Sequence, residues 1–126
     1  MVSRRQFFHA AVFGVVSPAL RQAHAALADS KITRIRHYQS PLSRPMFNQS
    51  FDIVTVETDT GLTGIGEGGS PDTIRECAEM LIGENPQRIE HLWQLMYRGR
   101  FYPPGREKLH ALGALDMALW DGAVGS

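Results

Sequence analysis

The stretch that most restricts the fold is Phe51-Asp52-Ile53-Val54-Thr55-Val56-Glu57-Thr58, followed at once by Asp59-Thr60-Gly61 and a second strand-like run over 62–67. β-Branched residues fill the middle of the first run and turn-forming residues bound it, the pattern of a strand. So short a connection joins neighbouring strands only as a hairpin, whereas a parallel crossover takes about a dozen residues or more. The two runs therefore pair antiparallel. Gly61 provides the positive φ that such a turn requires. Upstream, Ile32, Arg34 and Arg36 alternate with Thr33, Ile35 and His37 as far as Tyr38, which predicts another strand over 31–38 and a polar loop over 39–50. Together these make a three-stranded antiparallel β-meander.

Helices follow. Ser70 can cap, Pro71 suits a first helical position, and Asp72 favours the positive end of the helix dipole. Ile74, Cys77, Ala78 and Leu81 then line one helical face, and Gly83 closes it. Asn85-Pro86 opens a second helix in which Ile89, Leu92, Trp93 and Met96 repeat that spacing. A Tyr102-Pro103-Pro104-Gly105 breaker precedes a third helix from Glu107. That helix is apolar on two faces, Leu109, Leu112 and Leu119 on one and Ala111, Leu115 and Ala118 on the other. A helix apolar all round is normally buried on more than one side, so the expectation is an uncovered second face. The fold class is α+β: a meander, then a bundle of about three helices.

The 126 residues hold 13 Lys+Arg against 13 Asp+Glu, which lacks the basic excess of a nucleic-acid binder. The one Cys excludes an internal disulfide and any multi-Cys zinc site. Arg4 and Arg5 precede an apolar run over 7–20, and Ala23-His24-Ala25 offers a small-residue cleavage site. A basic start, a short apolar middle and a small-residue exit describe a secretory signal. The run is shorter than the about 20 residues a membrane-spanning helix needs, so a permanent anchor is not expected. Ser3-Arg4-Arg5-Gln6-Phe7 also resembles the twin-arginine address of bacterial export. The expected organisation is thus a signal over 1–25, a linker over 26–30 and a domain over 31–126, with the product in the periplasm. Without residues 1–25, three Arg and no acid are lost, and the formal charge becomes −3.

Several motifs carry less than they suggest. Gly64-Ile65-Gly66-Glu67-Gly68-Gly69 satisfies G-x-G-x-x-G after a strand and before a helix. A dinucleotide loop, however, belongs to a parallel βαβ unit, and Glu67 would put a negative charge into a phosphate cradle. Gly64 and Gly66 are therefore read as structural, like Gly61. Cys77 lies on an apolar stripe and reads as a core residue. His37, His91 and His110 have no metal-ligand spacing and read as surface or packing residues. Asn48-Gln49-Ser50 is a glycosylation sequon that a bacterial-type signal makes idle. Asp116, set between Leu112 and Leu119, reads as an orienting carboxylate bonded to backbone N–H groups or an Arg. Asp121 lies on another side of that helix, so the two acids do not form a dyad.

Three stretches, in this order, resemble the N-terminal capping domain of the enolase superfamily in its mandelate racemase/muconate-lactonizing branch. They are Val54-Thr55-Val56-Glu57-Thr58-Asp59-Thr60-Gly61-Leu62-Thr63-Gly64-Ile65-Gly66-Glu67, then Leu81-Ile82-Gly83-Glu84-Asn85-Pro86 with Ile89-Glu90-His91-Leu92-Trp93, then Ala111-Leu112-Gly113-Ala114-Leu115-Asp116-Met117-Ala118-Leu119-Trp120-Asp121. Met96-Tyr97-Arg98-Gly99-Arg100-Phe101-Tyr102 looks most like the branch's sugar-acid dehydratases. The resemblance implies a cap followed by a (β/α) barrel that holds a Lys-x-Lys pair and Mg²⁺, where a base removes the proton beside a carboxylate. It also implies that loops 41–50 and 66–70 close over the substrate, with Arg44 and Asn48 as the lid residues able to meet a carboxylate or hydroxyls. Members of the family are usually homo-oligomers. After Trp120-Asp121 this sequence reads Gly122-Ala123-Val124-Gly125-Ser126, without the Lys-Gly-Lys the family carries there. The expectation is a cap without its barrel, holding no metal ligands, no cofactor and no catalytic residue of its own, and inactive as such. The contrasting expectation is a non-enzymatic exported module that uses the same cap to bind a partner.

Overall fold

The computed structural model describes residues 17–41 and 52–124. Its elements run α1 (Pro18–Ala28), β1 (Ile32–Tyr38), β2 (Ile53–Thr58), β3 (Thr63–Glu67), α2 (Pro71–Leu81), α3 (Ile89–Arg98) and α4 (Arg106–Val124). The three strands form one open sheet in the order β1-β2-β3, antiparallel throughout. The fold is α+β, a meander with its helices after it; α1 adds a helix ahead of the sheet.

The hairpin turn forms as its residues dictate. Gly61 takes φ +85° and donates its N–H to the Thr58 carbonyl at 3.2 Å. Thr58 Oγ1 accepts from Leu62 N at 3.2 Å, closing the turn from the side. Strand β1 departs from simple alternation. Its register shifts between Ile32 and Arg34, so Ile32 and Ile35 both lie on the inner side instead of on opposite faces. This is a β-bulge, one extra residue that reverses the alternation at that point.

One sheet face carries Val54, Val56, Gly64 and Gly66, and α4 lies across it. The approach is so close that a Cβ on Gly64 would overlap the Ala118 carbonyl oxygen, and one on Gly66 the Ala114 carbonyl oxygen. Only glycine admits a helix backbone at that distance. These two glycines therefore lie inside β3 as a seat for α4, whereas a turn accounts only for Gly68 and Gly69, both with positive φ.

Around α4 the core gathers Ile32, Ile74, Cys77, Leu81, Leu92 and Met96 with Leu112, Leu115 and Leu119. The predicted stripes of α2 and α3 supply Ile74, Cys77 and Leu81, and Ile89, Leu92 and Met96. Both apolar faces expected on α4 are buried, Ala111, Leu115 and Ala118 as well as Leu112 and Leu119, because sheet and helices grip it from two sides. The exception is Leu109. With Met117 and Trp120 it forms the line left uncovered, these residues being 42%, 49% and 54% exposed. Lys108 is buried, and its Nζ finds no hydrogen-bond partner among the described residues. Among the described residues no helix is long and apolar enough to cross a membrane.

Candidate functional site

The register brings the roots of the two expected lid loops to one end of the sheet. Tyr38, Ile53 and Glu67 stand side by side across the three strands. The β1–β2 connection therefore leaves and returns where β3 hands over to segment 66–70. Asp52, one residue before β2, joins these roots. Its Oδ1 accepts from Ser40 N at 3.1 Å and its carbonyl accepts from Gly68 N at 2.9 Å. His37 Nε2 lies 3.0 Å from Asp52 Oδ2, an ion-pair distance, with both side chains mostly buried. A carboxylate held from the first loop's start and bonded by its own backbone to the second loop fixes the spacing of the two.

Next to this end, along α4, an open groove is lined by the charged Glu67, Arg106 and Asp116 and by His110, and also by the apolar Leu109 and Met117. It sets acidic, basic and imidazole groups in a groove whose wall is partly apolar. Asp116 is half-buried there, and burial holds its carboxyl above the usual carboxylate range.

The expected site residues fall in different places. Arg44 and Asn48 lie outside the described residues, as do Arg4 and Arg5. The backbone-binding role read for Asp116 falls to Asp121, whose Oδ2 accepts from Ile65 N at 2.9 Å and pins the end of α4 to β3. Asp116 has no hydrogen bond among the described residues, its side of α4 facing the groove. Cys77 is fully buried, and burial raises its thiol pKa while the Lys108 charge pulls it back. His91 stands 3.9 Å from Glu84, and His110 lines the groove. The pairing of His37 with Asp52 is what the sequence reading missed. The only signal for it was an acid at the mouth of a strand opposite a strand histidine, and that becomes a contact only once the register is known.

Among the described residues no three His, Cys, Asp or Glu side chains stand together to hold a metal ion. The described residues offer no ligand set for the Mg²⁺ that the resemblance implies.

Residues 31–124 match the family model of the mandelate racemase / muconate lactonizing enzyme N-terminal domain. The D-galactonate dehydratase of Cronobacter sakazakii is 42% identical over 98 residues, and that of Ralstonia pickettii 43% over 98. Each match covers 72% of this chain but 24% of the relative, so the chain spans about a quarter of their length. Among solved structures, an enolase from Agrobacterium radiobacter bound to sodium and L-malate superposes with a TM-score of 0.61 at 36% identity, covering 72% of this chain and 24% of its own. A mandelate racemase/muconate lactonizing enzyme from Sulfitobacter gives 0.61 at 26% identity, covering 75% and 26%.

Proposed function

Because the chain belongs to the mandelate racemase / muconate lactonizing enzyme family through that family's N-terminal domain, we propose that it caps the substrate of a proton-abstracting enzyme of the dehydratase or racemase type. The substrate class is a sugar acid or a related α-hydroxy acid, and the protein works after export to the periplasm. The relatives named as D-galactonate dehydratases support the sugar-acid reading, and the L-malate held by the Agrobacterium enolase is itself an α-hydroxy acid.

The observation that carries this reading is the convergence of both loop roots at one sheet end, with Asp52 bonded to each. A cap acts by closing loops together over a ligand, which excludes water and grips its distal end. A shared anchor fixes where the two loop roots stand relative to each other. The proton beside a carboxylate is weakly acidic, and its removal needs a fixed positive charge and a base. Neither is assigned to this chain, whose part is binding, orienting and drying the substrate.

The test is a chimera in which residues 31–121 replace the equivalent cap of a D-galactonate dehydratase. The expected result is turnover of a sugar acid by the chimera and none by the 126-residue chain alone. A folded chimera inert toward every sugar acid tried, or turnover by the purified 126-mer itself, rejects the reading.

A further inference from the structure

Helix α1 and the segment after it differ sharply in how they are held. None of the residues Pro18–Ala28 is buried. Its own ties are a cap in which Ser17 Oγ accepts from Leu20 N, and the Asn85 side-chain amide that donates to the Ala28 carbonyl at its far end. An isolated helix shorter than about 12–15 residues is marginal in water, so this one unwinds at little cost. Ala23-His24-Ala25 lies inside it, exposed.

Two residues beyond the helix the chain is locked. Ser30 is 1% exposed and its hydroxyl donates to Asp59 Oδ1 at 3.3 Å. Lys31 N donates to the same carboxylate oxygen at 2.8 Å, and Asp59 N returns a bond to the Lys31 carbonyl at 3.0 Å. Ile32 then exchanges both backbone bonds with the α2–α3 link, its N–H with the Glu84 carbonyl at 2.9 Å and its carbonyl with Gly83 N at 2.8 Å. The hairpin turn thus holds Ser30 and Lys31, and the α2–α3 link holds Ile32.

We propose that residues 28–32 are a latch that sets the limit of proteolytic processing. An endopeptidase specific for small side chains cuts the exposed helix at the Ala25–Ala26 bond, and the latch keeps the new N-terminus fastened to Asp59 and Asn85. The cut hydrolyses one peptide bond with one water, giving a free carboxylate on Ala25 and a free amine on Ala26. The latch and its accessible helix stand on the geometry alone; the identity of the cellular peptidase rests on the export reading.

The experiment treats the full chain with dilute elastase, which cuts after small residues, and follows fragment masses with time. New N-termini are expected within 18–28 first, and none within 30–38 while the domain stays folded. Cuts in 30–38 as fast as those in 18–28 overturn the proposal, as does resistance of 18–28. Asp59→Ala removes the acceptor shared by Ser30 and Lys31, and is expected to speed cutting in 29–34 by about tenfold, since cleavage follows the open population. Ser30→Ala serves the same purpose if that variant does not fold, and unchanged protection in a folded Asp59→Ala or Ser30→Ala variant overturns the latch. A chain starting at Ala26 is expected to melt with the full chain, and one starting at Ile32 several degrees lower; equal melting of both overturns the latch. Expression in a bacterium with twin-arginine export separates the two claims. An unexported, unprocessed chain with the expected elastase pattern defeats the export reading alone, whereas an exported chain cut beyond Ser30 defeats the latch.

Discussion

At the scale of single residues, the two helix-facing glycines of β3 are the least replaceable positions. Gly66→Ala drives a methyl group into the Ala114 carbonyl and must lift α4 off the sheet, so it is expected to cost about 3 kcal/mol or more in chemical denaturation. Gly113 is the control, because a Cβ there meets nothing within 4 Å and the residue is interior to a helix. Gly113→Ala is expected to stabilise by about 0.5–1 kcal/mol in the same assay. Asp116 gives a pH signature. Its folded-state pKa is raised by burial, so the native state holds the proton more tightly than the unfolded chain does. Stability is then greatest below the ordinary carboxylate pKa and falls as pH rises through the folded value. Asp116→Asn removes that loss: melting temperature is expected to rise at neutral pH and to match the parent in acid. Lys108→Met replaces a buried amine that has no hydrogen-bond partner among the described residues with an apolar chain of similar length, and is expected to raise stability by about 1 kcal/mol in urea titration.

At the scale of elements, α4 organises the molecule, and two contacts of different kinds hold it. Leu115 is fully buried, and Leu115→Ala is expected to cost about 2–5 kcal/mol, because the removed volume leaves a cavity. Asp121→Ala forfeits one exposed bond to Ile65 N and is expected to cost about 1 kcal/mol, with faster hydrogen exchange confined to that amide and its neighbours. This contrast also marks what could be read in advance. The meander and the helices were legible because period two, period 3.6, Gly61 and the Ser70-Pro71 start are local signals. The bulge after Ile32 was not, since the alternation of Ile32 with Ile35 looks regular until β2 imposes a register. Nor was the choice between Asp116 and Asp121. Both sit on one helix, and only the crossing of α4 over Gly64 and Gly66 decides which carboxylate reaches a strand N–H. The His37–Asp52 contact fails for the same reason: its partners are joined by sheet register, not by sequence spacing.

At the scale of the whole molecule, the unbalanced feature is the uncovered line of Leu109, Met117 and Trp120 along the outer side of α4. These side chains lie on one side of the helix, Leu109 and Met117 lining the groove together with Gly113 and Asp116, so they leave apolar surface exposed there. Apolar area left in water favours association at about 25 cal/mol per Å² covered. The 126-residue chain is therefore expected to bind the dye ANS and to show a molar mass that rises with concentration in light scattering. Substituting all three positions (Leu109→Glu, Met117→Lys, Trp120→Gln) is expected to abolish both signals. It should leave chemical stability within about 0.5 kcal/mol per position, since exposed side chains contribute little to the folded state. The comparison with Leu115→Ala makes the outcome decisive, because that variant lies on the opposite side of the same helix. If the triple variant loses as much stability as Leu115→Ala, the stripe belongs to the core; if dye binding persists unchanged, the sticky surface lies elsewhere.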